Sequence, residues 1–176
     1  ADRHASLARE QAAGESDPVR RAELEEIAGI CSRVPEHPAQ SFREALQSFW
    51  TVFVALHSTM TAAPVGRFDY YLGPSLDRDL AAGRLTLAEA QGLVDCLWIK
   101  FNERTQLGED NQEWHCDPWM GSLGCAPGSG YVFTMDTAYA NHWLQNLIMS
   151  GQTPEGDDST NALTYCCLQA TKKFEL

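Results

Sequence analysis

Positive charge is scarce in this 176-residue chain: 13 Lys and Arg stand against 24 Asp and Glu, a formal net charge of −11, with a sequence pI near 4.7. Nucleic-acid binders carry a basic stripe, because their affinity comes mainly from cations on phosphates. Here only Arg20-Arg21 and Lys172-Lys173 are adjacent basic pairs, and both read as solvated helix residues. Nucleic acid and anionic membrane are poor partners. No apolar run approaches the ~18–20 residues that cross a bilayer; the densest, residues 50–56, meets His57 and Ser58. Cysteines are present at 31, 96, 116, 125, 166 and 167 but never as Cys-x-x-Cys, the arrangement expected of zinc or dithiol redox sites. The opening residues are rich in Arg, Glu and Ala and lack the apolar stretch of a secretory leader. Reduced thiols and a cytoplasmic location are therefore expected.

What is present is average globular composition, 44% hydrophobic and 21% charged, enough for one domain with a real core. Asp17-Pro18 reads as an N-cap followed by proline at the first helical position. The helix that follows places Val19, Ala22, Ile27, Ile30 and Cys31 near helical period, and Pro35 and Pro38 end it. Ser41-Phe-Arg-Glu44 is a capping box opening a helix over 41–57, with Phe42, Ala45, Leu46, Phe49, Trp50, Phe53 and Leu56 as one wide stripe. A short helix over 75–82 should stop at Gly83. Thr86-Leu-Ala-Glu89 is a second capping box, predicting a helix over 86–104 that buries Leu87, Ala90, Leu93, Val94, Leu97, Trp98 and Phe101. Residues 105–141 lose the pattern. Residues 144–149 read as a buried strand ended by Ser150-Gly151, and Asp157-Asp158-Ser159 offers capping oxygens to a last helix bearing Leu163, Cys166, Cys167 and Ala170.

Local chemistry gives little. His115-Cys116-Asp117 with Cys125 is a single weak cluster, whereas zinc needs about four ligands from paired motifs; it reads as a loop with incidental thiols, so no metal is expected. The glycines from 121 to 130 lack G-x-G-x-x-G and do not open an amphipathic helix, so no phosphate cradle is expected. His57 and Asp69 read as structural, the latter paired with Arg67 or capping the following turn.

Several ordered segments together resemble the pyruvate formate-lyase-like glycyl radical enzymes. Pro38-Ala-Gln-Ser-Phe-Arg-Glu-Ala-Leu-Gln-Ser-Phe-Trp50 is similar to the family's core helix, and Gly66-Arg-Phe-Asp-Tyr-Tyr-Leu72 to its G-R-[FL]-D-Q-Y-[LM], with Tyr70 in the place of Gln. Residues 79–90 and Leu97-Trp-Ile-Lys-Phe-Asn-Glu103 match the next helix pair. Residues 145–161 resemble the strand, G-G turn and D-x-T-N helix start that follow.

The resemblance implies an α/β fold, here a mostly helical fragment of a large ten-stranded α/β barrel. Residues 1–176 would form part of one such domain, with 105–141 an irregular, insertion-like segment. The implied activity is that of a lyase or dehydratase cleaving C–C or C–heteroatom bonds of a small organic substrate through thiyl-radical hydrogen abstraction. The radical cysteine and glycine would lie C-terminal to this region, so the fragment alone would be inactive and would bind no cofactor itself. An activating enzyme using S-adenosylmethionine and an iron–sulfur cluster would install the glycyl radical, and the whole protein would be a homodimer. Cys166 and Cys167 fall in a packing helix rather than a radical loop. The run before Gly66, polar in many family members, points to Ser58, Thr59 and Thr61 as substrate-binding hydroxyls. A self-contained helical binding module without catalysis is the alternative.

Overall fold

The computed structural model describes residues 1–57, 65–102 and 147–174. Six helices and one two-stranded parallel sheet occupy them: α1 (Asp2–Gly14), α2 (Pro18–Cys31), α3 (Phe42–His57), β1 (Gly66–Arg67), α4 (Phe68–Ala81), α5 (Leu87–Asn102), β2 (Leu147–Ile148) and α6 (Ala162–Phe174). In the ladder, Gly66 pairs with Leu147 and Arg67 with Ile148. The segment 105–141 lies outside the described residues.

α1 and α2 form a hairpin. Ala5, Ala8 and Ala12 of α1 face Leu24, Ala28 and Cys31 of α2, all buried. Small residues at helical spacing let the two backbones approach, and Arg21 clasps the connection by donating through Nε to the Glu15 carbonyl at 3.1 Å. Asp17 caps α2 by accepting from the Val19 amide at 3.0 Å, with Pro18 in the first turn. The buried face is shifted from the predicted one: Cys31 is buried as expected, but Val19 is exposed and Leu24 and Ala28 complete the inward row, because the alanine face of α1 decides which side of α2 loses water.

The main core joins α3, α4, α5 and α6. Phe42, Leu46, Phe53, Phe68, Leu72, Leu76, Val94, Leu97, Trp98, Phe101, Leu163, Cys166 and Cys167 are all buried in it. Aromatic edges hold its centre: Phe49 meets Phe68 edge-on with centroids 5.4 Å apart, and Phe53 meets Phe101 in the same way at 5.4 Å. Such pairs add about 0.5–1.5 kcal/mol beyond burial. Trp98 donates its indole N–H to Thr171 Oγ1 at 3.0 Å, and Lys173 donates to Asp95 Oδ2 at 2.6 Å; α5 and α6 are thus pinned along their length. Lys173 is solvent-exposed, as expected, and also pairs with Asp95.

Both capping boxes form. Thr86 and Glu89 satisfy each other's amides at 2.8 and 3.2 Å. At α3 the Glu44 amide donates to Ser41 Oγ at 3.1 Å, while the Glu44 carboxylate reaches back to Gln40 N at 2.6 Å, one residue earlier than the usual box. Leu87 departs from the predicted α5 face at 55% exposed, and Leu56 is exposed at the far end of the α3 stripe. The helix expected from residue 75 begins seven residues earlier and runs through Pro74. Burial of Phe68, Leu72 and Leu76 on one face outweighs the backbone hydrogen bond that proline forfeits. Of the strand expected over 144–149, residues 144–146 lie outside the described residues, Leu147–Ile148 form it, Met149 does not, and Ile148 is 53% exposed.

The first turn of α3 depends on α4. Asp79, buried, accepts from the Phe42 amide at 2.7 Å and from Arg84 Nε at 3.1 Å. Burial alone would raise its carboxyl pKa, but the Phe42 amide and the Arg84 guanidinium prevail and hold it below the ordinary 3.8. Asp79→Ala should cost about 2–3 kcal/mol in urea unfolding, the scale for orphaning a buried charged partner. Because the folded-state pKa is depressed, the contribution is complete above the unfolded value and is lost as pH falls through the folded one. The stability gap between wild type and Asp79→Asn should therefore be full at pH 7 and shrink below about pH 4.

Candidate functional site

Ser58, Thr59 and Thr61 lie outside the described residues, as do His115, Cys116 and Cys125. The run 58–64 is flanked by described residues on both sides. On one side α3 runs to His57. On the other, Val65 is buried and its carbonyl accepts from the Tyr71 hydroxyl at 3.2 Å. Burial pushes the Tyr71 pKa up to about 12, so this phenol stays a donor at physiological pH.

The stretch Gly66-Arg-Phe-Asp69 is built around one turn. Gly66 has φ +71°, a left-handed conformation that glycine adopts without penalty. The chain then passes through β1 into α4, which carries Asp69 into the interior at 0% exposure. Asp69 Oδ2 accepts from the Ser150 amide at 2.6 Å and from the Thr164 hydroxyl. Arg67 donates to the Ser150 carbonyl at 3.0 Å, the Gln152 carbonyl at 3.0 Å and Ser159 Oγ at 2.6 Å. Both backbone groups of Ser150 are therefore taken by two charged side chains of one motif. Tyr70 covers the guanidinium, with its ring centroid 4.5 Å from the Arg67 carbon, a favourable cation–π distance. Asp69 is structural, as expected, but its partners are the Ser150 turn and α6, not Arg67 or the following turn.

Ser150 has φ +54°. A side-chain-bearing residue in this region costs on the order of 1–2 kcal/mol, and such strain persists only where surroundings over-determine it. Gly151 follows at φ +101°, and its carbonyl accepts from the Ser159 amide at 3.0 Å, closing the loop that returns to α6.

The cap of α6 is Asn161, not the predicted Asp157-Asp158-Ser159. Asn161 Oδ1 accepts from the amides of Leu163 and Thr164 at 2.9 and 3.2 Å, and Thr164 Oγ1 accepts from the Asn161 amide at 3.1 Å. Asp158 turns instead to the Thr160 amide at 2.9 Å. Asn161 Nδ2 also donates to the Asp69 carbonyl at 3.0 Å, tying the α6 cap to α4. Gly73 lies beneath it: a Cβ there would stand 2.9 Å from Asn161 Nδ2.

Cys166 and Cys167 are packing groups. Burial raises both thiol pKa values, assisted by Asp95 at Cys166 and by Asp69 at Cys167. Burial raises Cys31 as well, while Cys96 is exposed. Among the described residues no group of three or more His, Cys, Asp and Glu could hold a metal ion.

Arg67 and the buried Asp69 lock a parallel strand pair onto a capped helix. The chain belongs to the pyruvate formate lyase-like family, whose model matches residues 1–176. It is 39% identical to isethionate sulfite-lyase of Nitratidesulfovibrio vulgaris, an alignment covering 100% of this chain and 19% of that protein. Among solved structures, one describing 1,2-propanediol dehydration in Roseburia inulinivorans matches with TM-score 0.79 and 36% identity, over 99% of this chain and 18% of that one. The glycerol-bound B12-independent glycerol dehydratase of Clostridium butyricum matches at 0.76 and 32%, over 99% and 19%. The fold is therefore that of part of the family's barrel, and the chain spans about a fifth of the length of these relatives.

Two outcomes follow from this geometry. Gly73→Ala should displace the Asn161 cap and cost about 1–2 kcal/mol in urea unfolding, the range for a lost N-cap. Under native conditions at pH 8, iodoacetamide should modify Cys96 and spare Cys31, Cys166 and Cys167, as read by peptide mass spectrometry.

Proposed function

We propose that this chain is part of a glycyl radical lyase or dehydratase that cleaves a C–C or C–heteroatom bond of a small organic substrate. The likeness along the whole chain to isethionate sulfite-lyase and to the diol and glycerol dehydratases supports this reading. In such a reaction a cysteine thiyl radical takes a hydrogen atom from the substrate, the substrate radical loses its leaving group or fragments, and hydrogen returns to the product radical. Among the described cysteines, Cys31, Cys166 and Cys167 are buried as packing groups and Cys96 sits within helix α5 rather than in a loop. The radical cysteine and glycine belong to the remainder of the polypeptide.

The contribution of these residues is positioning, since a radical enzyme must hold the target C–H near sulfur and keep water away. Arg67, Asp69 and Asn161 fix a rigid strand-and-helix frame. Ser58, Thr59 and Thr61, between α3 and Val65, supply hydroxyls to a polar group of the substrate. The exposed apolar side chains support a larger assembly: Tyr165 at 65%, Leu168 at 50%, and a groove of about 460 Å³ between α3 and α4 lined by Phe49, Val52, Leu56 and Tyr71. Further polypeptide of the same barrel covers such faces. A radical S-adenosylmethionine activating enzyme is the partner, and the whole protein works as a cytoplasmic homodimer. No helix among the described residues is long and apolar enough to cross a membrane.

The test uses the whole polypeptide that carries this segment. Incubated without oxygen with such an activating enzyme, S-adenosylmethionine and a reductant, it should show a glycine-centred doublet in electron paramagnetic resonance and turn over one of a panel of isethionate, 1,2-propanediol, glycerol and hydroxyproline. A protein that binds the activating enzyme yet never yields the doublet defeats the reading. Ser58→Ala, Thr59→Val or Thr61→Val should raise KM roughly tenfold for whichever hydroxyl holds substrate, the worth of one lost hydrogen bond.

A further inference from the structure

The Ser150 turn carries more than a structural role explains. Its backbone is held left-handed, at φ +54°, by Asp69 on the amide and Arg67 on the carbonyl. Glycine would adopt that conformation freely, so the serine Cβ is a net cost to the fold. The hydroxyl gives nothing back: among the described residues Ser150 Oγ makes no hydrogen bond, although the hydroxyls of Ser159 and Thr164 on the same assembly are both engaged. Ser150 is half-buried, so the oxygen remains within reach of a small molecule. It also stands two residues past β2 (Leu147–Ile148), at the carboxyl end of the parallel pair. In α/β folds ligands collect outside the carboxyl ends of parallel strands. Strained residues braced by buried charges cluster at such places, because strain that brings no packing return is retained where it aims a functional group.

We propose that Ser150 is a substrate-contacting residue, its hydroxyl donating a hydrogen bond to an oxygen of the substrate, and that Arg67 and Asp69 are the positioning residues that aim it. The proposal rests on the reading of the chain as part of a lyase or dehydratase acting on small oxygen-bearing molecules. Arg67 spends Nη1 and Nη2 on the two carbonyls and Ser159, and its Nε is buried without a hydrogen-bond partner among the described residues, so recognition falls to the serine. The contact is therefore a neutral hydroxyl on an oxygen acceptor, of the kind that an alcohol, a carboxylate or a sulfonate presents.

Two substitutions separate the hydroxyl from the strain. Ser150→Ala keeps the Cβ and removes the oxygen; Ser150→Gly removes both. In the whole polypeptide, before activation, isethionate and glycerol are the probes and thermal melting is the readout. The proposal expects Ser150→Gly to melt higher than wild type and Ser150→Ala to melt with wild type. It expects both variants to lose the upward shift that the bound probe gives wild type, and, after activation, to raise KM about tenfold or more with the radical yield unchanged. Wild-type KM and a wild-type probe shift in Ser150→Ala overturn the proposal while leaving the lyase reading intact. A wild-type protein that binds a probe through Ser150 yet never forms the radical overturns that reading and sustains the contact. Failure of both probes to shift wild-type melting overturns the proposal, while the lyase reading still stands or falls on the radical signal.

Discussion

A carboxylate buried at 0% exposure governs this structure. Removing Asp69 from water is expensive unless its charge is answered by donors, and the donors come from far along the chain: the Ser150 amide, 81 residues away, and the Thr164 hydroxyl, 95 away. Both donors go to Oδ2, while Oδ1 is buried without a hydrogen-bond partner among the described residues; answering that one oxygen brings together α4, the end of β2 and the start of α6. Arg67, two residues earlier, then takes the outward-facing carbonyls of the same turn. The two-residue ladder is too short to hold itself. It is held by the charges at its ends.

Much of the helical layout is legible because its signals are local. Asp17-Pro18, Ser41 with Glu44, and Thr86 with Glu89 satisfy free amides within a few residues, and each marks a helix start that the structure retains. The inward stripes of α3 and α5 follow from spacing alone at Phe42, Phe53, Val94 and Phe101. The misreadings share a cause. Pro74 is a breaker by local rule, yet the apolar face of α4 carries the helix through it. The oxygens of Asp157-Asp158-Ser159 look like caps, but Asn161 takes the position because Gly73 leaves room for it against α4. Tertiary packing overrides local propensity in both.

The candidate site was legible only through likeness of motifs. Nothing in the residues around Asp69 announces that its partners are Ser150 and Thr164, since a hydrogen bond across 81 or 95 residues leaves no periodic trace. What likeness supplied was the order of segments, and membership of the pyruvate formate lyase-like family agrees with it. The strain at Ser150 had no sequence signal beyond a serine preceding Gly151, read as the end of a strand. Only the sign of one backbone angle sets it apart.

The parallel pairing of Gly66 with Leu147 also imposes a timetable on synthesis. A ribosome adding about 5–20 residues per second needs roughly four to sixteen seconds to make the chain between them. As they emerge in that interval, α3, α4 and α5 wait without α6, their aromatic faces open to whatever else is in the cell. A nascent chain with this order of elements is a natural client for chaperones that shield apolar surface until a distant partner emerges.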